Sequence, residues 1–385
     1  MVYLDNAADT AVLQTVRDAV SVCMLYAGNP SSIHSAGQNN ARLIEIAREQ
    51  VAKLIGADPD EVYFTSGGTE SNNLMCRLAR RENILFSKAE HPSVKNALAW
   101  HDSADLRIEN DGVIDLGTLQ RDIEFVEWQE SLRRQNGFGG DNANPNTLLF
   151  VQWMNNETGA VQPMEKIGQL AEKYNVMLLT DAVQAVGHTP IDVHQCNVDC
   201  LTLSGHKFGA PPGVGAIYIR RGVKVDPLIK GGGQERGLRS GTENVPGIVG
   251  LGIAAAYAQK NLEHHRSVWK SLRKIFIDRL DLGMPFWING TNAYSPIISL
   301  TIPEIPAENL VTYLDAHGVC ISAGAACHAN GSTPSPTLTA MGLTPEHAMS
   351  TVRISMGYGT SEYDMETAAN TIVDAVRFFK SFSNS

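Results

Sequence analysis

The sequence predicts an α/β protein with a large domain over 12–258 and a smaller α+β domain formed by 1–11 together with 259–385. Three observations carry that expectation. Short apolar runs alternate with amphipathic helical patterns through the first two-thirds of the chain. Several of these runs are continuously apolar, as strands of a parallel sheet covered on both faces are. After about residue 260 the rhythm changes to a few strands and a closing helix. Composition agrees: 385 residues, 43% hydrophobic and 19% charged, supply enough apolar material for a sizeable core and exclude a disordered or collagen-like chain.

Taken in order, the N-terminus has no basic segment and places Asp5 inside its first apolar stretch, so no signal peptide is expected. Ala41, Ile44, Ala47, Val51 and Leu54 fall on one face of a helix, which Gly56 and Pro59 stop. Glu61–Thr65 reads as a strand, followed by Ile84–Ser87, Leu148–Met154, Val176–Asp181, Asp199–Ser204 and Gly215–Ile219, with a helix at Met164–Tyr174. Glu127–Asn146 breaks the rhythm with a charged helix end and a Gly- and Asn-rich surface loop. A long helix follows Val245. Beyond it, strands are expected near Ser295–Ile302 and Val352–Met356, with a final helix at Met365–Phe379. The longest uncharged apolar-rich run, Val245–Ala258, contains Pro246 and falls short of the roughly 18–20 residues that span a bilayer. The expectation is a cytoplasmic protein with no membrane partner. A formal charge of −10 and the lack of a basic, aromatic-rich stretch argue against direct nucleic-acid binding.

Six cysteines are too few for a disulfide scaffold. Cys196 and Cys200 form a C-x3-C pair with no matching second pair, so no zinc site, and no metal site elsewhere, is expected. Most thiols read as small buried apolar groups, Cys320 in its Gly-Val-Cys-Ile setting among them. Cys327 differs: Gly, Ala, Ser and Asn surround it, with Pro334 and Pro336 close behind, the composition of an accessible loop. His264 and His265 lie in a charged helical stretch and are expected on a solvated face rather than as a metal pair.

The chemistry centres on Ser204-Gly205-His206-Lys207, directly after a strand. The preceding predicted strand ends in Asp181. Parallel strand ends cluster on one edge of a sheet, where ligands bind in α/β folds, so Asp181 and Lys207 are expected in one crevice. A lysine that can bond an aldehyde and an acid that can pair with a pyridine N–H⁺ are what pyridoxal phosphate requires. A third element, Thr65-Ser-Gly-Gly-Thr69-Glu-Ser-Asn-Asn, follows a strand and opens a helix, which turns backbone N–H groups toward a phosphate. It has neither the lysine of a P-loop nor the spacing of a dinucleotide fingerprint.

With these motifs in place the chain resembles the NifS/IscS-like cysteine desulfurases of the class V aminotransferase family. The resemblance runs through Tyr3-Leu-Asp-Asn-Ala-Ala, Gly28-Asn-Pro-Ser-Ser-Ile-His34, Phe64-Thr-Ser-Gly-Gly-Thr-Glu-Ser71, Glu90-His91 and Asn155-Asn-Glu-Thr-Gly159. It continues through Asp181-Ala-Val-Gln184, Ser204–Lys207, the glycine-rich run from Gly231 to Thr242, and Ser322-Ala-Gly-Ala-Ala-Cys327. It implies the aspartate-aminotransferase-like fold of type I pyridoxal-phosphate enzymes, with a mainly parallel seven-stranded sheet. It also implies conversion of L-cysteine to L-alanine with transfer of sulfur to Cys327, and from there to an acceptor protein.

Residue by residue, the resemblance makes Lys207 the Schiff-base lysine, Asp181 the partner of the ring nitrogen, and His91 the histidine stacked on the ring. Gln184 and Asn156 match the residues that hold the ring hydroxyl, Asn156 also lying near the substrate carboxylate. Gly68 and Thr69 at the helix start, with Ser204 and His206, match the phosphate cradle. Thr242 matches a phosphate ligand that reaches the other subunit of a homodimer. Arg353, in Thr351-Val-Arg-Ile-Ser355, matches the arginine that grips the substrate carboxylate, a task suited to a planar fork. Cys327 matches the sulfur acceptor on a long loop, with His328 beside it.

Four departures accompany this match. Asp9 stands where the family usually has Thr, and Ala210-Pro-Pro follows the lysine; read from sequence, neither touches a named role. The stretch Glu127–Asn146 is longer than in most relatives. The chain ends soon after its last helix, which leaves the acceptor open among iron–sulfur cluster assembly, tRNA thiolation and DNA phosphorothioation. A selenocysteine lyase or another pyridoxal-phosphate aminotransferase is the alternative on the same fold.

Overall fold

The computed structural model describes residues 1–78, 83–101, 103–136, 147–290, 293–324 and 333–383. In chain order its strands are β1 (Val2–Tyr3), β2 (Val62–Thr65), β3 (Asn83–Phe86), β4 (Ser103–Asp105), β5 (Thr147–Phe150), β6 (Met177–Asp181), β7 (Cys200–Ser204), β8 (Gly215–Ile219), β9 (Trp287–Asn289), β10 (Ile297–Thr301), β11 (Val319–Cys320) and β12 (Thr351–Ser355). The helices are α1 (Gln14–Cys23), α2 (Ser35–Ile55), α3 (Gly68–Met75), α4 (Pro92–Leu98), α5 (Leu116–Gln135), α6 (Met164–Lys173), α7 (Val245–Asp278), α8 (Ala307–Ala316), α9 (Pro336–Ala340), α10 (Pro345–Met349) and α11 (Glu362–Ser383).

The main sheet has seven strands in the order β2-β8-β7-β6-β5-β3-β4. β8 runs antiparallel to both its neighbours and every other pairing is parallel. The sheet is mainly parallel, as the continuous apolar runs predict. Alternate residues of one strand enter different cores: Leu201 and Leu203 one, Cys200 the other; Ala216 and Tyr218 one, Ile217 and Ile219 the other. Helices α2 and α7 belong to the first layer, α3 and α4 to the second. A strand covered on both faces has no polar side, which is why its sequence does not alternate. The expected strand Leu148–Met154 leaves the ladder after Phe150. Val151 and Trp153 still donate backbone hydrogen bonds to Leu179 and Asp181, and the chain then turns at Asn155–Gly159.

A second sheet, β12-β10-β9, is antiparallel throughout, and β1 pairs in parallel with β11 beside it. A separate buried cluster packs here, including Leu4, Trp269, Phe276, Leu300, Ile354 and Ile372. α7 connects the two cores, with Leu251 and Ala255 in the first and Trp269 and Phe276 in the second. Bridges from Asp5 to Ser355 and from Ser322 to Arg353 tie the N-terminal segment and β11 to β12.

Two expectations change here. His264 is exposed, but His265 is buried, stacked on Trp269 (ring centroids 5.7 Å apart) with Nε2 3.2 Å from the Tyr257 hydroxyl. The charged neighbours in sequence lie on other faces of α7, while the i, i+4 partner Trp269 shares the buried one. Cys320 is half-buried rather than enclosed, because β11 is a two-residue strand at the molecular edge and its Sγ meets Asp315.

Helices α2 and α7 approach closely at Gly252, where an added Cβ would lie 2.6 Å from the Ala47 Cα. Gly252→Ala therefore destabilises the protein by about 1–3 kcal/mol through overpacking, although alanine is the better helix former by about 1 kcal/mol. Urea denaturation checks this; a gain in stability would mean that the two helices yield.

Candidate active site

Seven chain segments meet at the C-terminal edge of the main sheet around a cavity of about 280 Å³. β6 delivers Asp181 at its last residue, and the short turn after β7 carries His206 and Lys207. The β6–β7 register sets Asp181 opposite Thr202, so the two functional ends are neighbours by backbone pairing alone. The start of α3 contributes Gly68 and Thr69, and His91, the N-cap of α4, closes another wall. Pro92 occupies the first position of α4, where its missing N–H is not needed. Asn156, Gln184 and Ser204 also line the cavity, and Arg353 enters from β12 of the second sheet.

The N-terminal segment forms the remaining wall. Lys207 Nζ donates to the carbonyls of Ala7 (2.9 Å) and Ala8 (2.7 Å), and Gln184 Nε2 donates to Ala7 O (2.7 Å). Asp9 departs from its expected neutrality: its Oδ1 lies 2.9 Å from His206 Nδ1. The fold of the first ten residues over the strand ends makes this contact, which residues so distant in sequence do not announce. Burial and Lys207 push His206 below its ordinary value, and Asp9 opposes them.

Arg353 is 3% exposed and held from two sides. One terminal nitrogen is 2.7 Å from Asp5 Oδ1 and the other donates to the Asn156 carbonyl (2.9 Å), while its buried Nε has no hydrogen-bond partner among the described residues. A planar cation fixed at a cavity wall suits a carboxylate ligand. Burial pushes the His91 imidazole down, Lys207 and Lys95 adding to this and Asp181 and Glu157 opposing it.

The cavity's polar groups also fit pyridoxal phosphate. At Gly67 the backbone takes φ 148° and ψ −176°, a region open essentially to glycine alone. At Gly68 an added Cβ would lie 2.7 Å from Val183 Cγ2. The start of α3 is thus kept bare of side chain where helix N–H groups lack intrahelical partners. An acid, a lysine and this anion-accepting turn border one space of suitable size.

Two predicted residues lie elsewhere. Thr242 is exposed and is not on the cavity wall. The segment leading to it is anchored by a buried Arg48–Glu235 pair (2.8 Å), with Glu235 and Arg236 both at positive φ. Cys327, with His328, lies outside the described residues, as does most of the Gly- and Asn-rich part of the 127–146 stretch.

Sequence reasoning missed Asn72, Ser93 and Gln152, which also line the cavity. Gln152 Nε2 donates to Asn156 Oδ1 (3.1 Å), and its backbone N–H donates to Glu90 Oε1 (2.5 Å). The available signal was polarity out of place: Asn72 falls on the buried face of α3 with Leu74 and Met75. Glu90 sits wholly buried beneath this layer, and desolvation, with Asp181 adding to it, raises its carboxyl to about 8.

A folded value above the ordinary 4.5 means that Glu90 contributes its full stability below about pH 4.5 and loses it as pH rises toward 8, at ~1.4 kcal/mol per pH unit. Glu90→Gln keeps the acceptor for Gln152 and removes the titration. The variant's melting temperature should match the parent's at pH 5 and exceed it at pH 8; a pH-independent difference would show that Glu90 holds no proton.

Comparison with known proteins places this geometry. The aminotransferase class-V family model matches residues 2–367. The cysteine desulfurase IscS of Methanosarcina thermophila is 37% identical over 391 residues, 99% of this chain and 93% of that one. A NifS-like protein from Rickettsia africae superposes with a TM-score of 0.85 at 29% identity, covering 98% of this chain and 99% of the other. A structure described as SspA in complex with cysteine matches with a TM-score of 0.75 at 32% identity, over 92% of this chain and 99% of that one. The chain belongs to the class-V aminotransferase family and, within it, to the NifS/IscS-like cysteine desulfurases.

Proposed function

We propose that the protein is a pyridoxal-phosphate-dependent cysteine desulfurase that converts L-cysteine to L-alanine, leaves the sulfur on Cys327 as a persulfide and passes it to an acceptor protein. The observation that carries this reading is the meeting of Asp181, Lys207, His91 and Arg353, from separate elements, around one cavity. The relatives named above support the choice of substrate.

Gly68, Thr69, Ser204 and His206 would hold the cofactor phosphate, Gln184 and Asn156 the ring hydroxyl, and Asp181 the ring nitrogen. When bound, the cofactor supplies an electron sink for charge developing on the amino acid. Arg353 holds the substrate carboxylate. Lys207 Nζ, steadied by the Ala7 and Ala8 carbonyls, takes the α-proton. The Cys327 thiolate bonds to the substrate sulfur as the carbon–sulfur bond breaks, the bonding pair staying with carbon; protonation of that carbon completes the methyl group, and Lys207 returns a proton to the α-carbon to complete alanine. Holding thiolate and sulfur in attack geometry contributes through proximity, on the order of several kcal/mol.

The same reading makes the protein a homodimer in which Thr242, exposed in the single chain, reaches the cofactor of the other subunit. It divides the chain into a large domain over 12–258 and a small one from 1–11 and 259–385, and places it in the cytoplasm. Among the described residues no helix is long and apolar enough to cross a membrane.

Cys327→Ala should keep the cofactor's near-visible absorbance and its change on adding L-cysteine, while alanine and sulfide formation fall by at least about a hundredfold. Undiminished sulfide release would remove Cys327 from the reaction.

A further inference from the structure

Asn72 is 1% exposed, and each polar atom of its amide is engaged. Nδ2 lies 2.7 Å from Asp181 Oδ2 and 2.8 Å from Ser93 Oγ, and Oδ1 lies 2.6 Å from Thr202 Oγ1. Ser93 Oγ is in turn 2.7 Å from His91 Nδ1, and the Ser93 backbone N–H donates to the same Nδ1 at 3.1 Å.

Donor and acceptor chemistry gives this chain a direction. A carboxylate only accepts, so the amide nitrogen of Asn72 faces Asp181 and the amide oxygen accepts the Thr202 hydroxyl. The second amide hydrogen goes to Ser93 Oγ. A hydroxyl accepting from Asn72 has its own proton left for Nδ1, which already receives a backbone N–H. Two donors aimed at Nδ1 leave no place for a proton there, so the neutral ring carries it on Nε2.

We infer that Asn72 is a positioning residue that orients the Asp181 carboxylate and, through Ser93, holds His91 as the Nε2–H tautomer, so that the neutral ring offers the reacting groups a hydrogen-bond donor at Nε2 rather than a basic lone pair. The tautomer rests on geometry alone; its catalytic meaning rests on the reading that His91 borders the reacting groups. The charged groups around His91 are Asp181, Lys207, Lys95 on α4 and Glu157 in the turn after β5. Nδ1 itself meets the Ser93 hydroxyl and accepts the Ser93 backbone N–H.

The test is long-range ¹H–¹⁵N spectroscopy of the full-length protein labelled at histidine nitrogen, recorded with and without pyridoxal phosphate, with His91→Asn assigning the signals. The parent should show a protonated Nε2 and an unprotonated Nδ1 at neutral pH. Asn72→Leu frees the Ser93 hydroxyl to accept, so the His91 titration midpoint should rise by about 0.5–1 pH unit, the size expected for one hydrogen bond to the neutral form. Ser93→Ala, a smaller change, should raise it by losing the same donor even where Asn72→Leu fails to fold. A His91 protonated on Nδ1 in the parent, or a midpoint unmoved in Ser93→Ala, overturns the inference. Failure of the protein to take up pyridoxal phosphate would count against the proposed function, while the expected spectra without cofactor would still support the relay.

Discussion

The parallel pairing of β6 with β7 is the constraint on which the rest of the site depends. It sets Asp181 opposite Thr202, and the turn that follows β7 then brings Lys207 to the same edge. Asn72, reaching from α3, bonds to both Asp181 and the Thr202 hydroxyl and so ties a helix to two adjacent strands. A one-residue slip in this register would turn Asp181 to the opposite face of the sheet and break both contacts. The functional distances are thereby set by backbone ladders, the least deformable part of an α/β protein, rather than by loops.

Around that frame the site is completed by segments distant in sequence. The N-terminal residues run beside β12 and then fold over the strand ends, where Ala7 and Ala8 accept from Lys207 and Asp9 meets His206. Arg353 arrives from the second sheet and is braced by Asp5 of the same N-terminal segment. The two cores therefore share the cavity, and α7, which contributes to both, links their positions.

Much of this was legible in the sequence for identifiable reasons. Strands buried on both faces leave continuous apolar runs, so the main sheet could be read, and β8 at Gly215–Ile219 fell where the run placed it. Ten of the twelve residues singled out for the chemistry border one cavity, because the motifs that carry them sit at strand ends and helix starts that the α/β topology gathers. What escaped depends on contacts across the fold. Asp9 and His206 are separated by most of the large sheet in sequence, and His265 is buried only because Trp269 and Tyr358 pack on its ring. The network from Asp181 to His91 joins α3, β6, β7 and α4, and no local pattern encodes a hydrogen bond between them.

The most direct test of the central claim, that Lys207 and Asp181 share one pyridoxal phosphate, is borohydride reduction of the cofactor-loaded protein followed by peptide mass mapping. A phosphopyridoxyl group on the peptide containing Lys207, and its loss in Lys207→Ala, is the expected result. Labelling of another lysine in the parent, or no stable label under conditions where the cofactor colour is present, would contradict it.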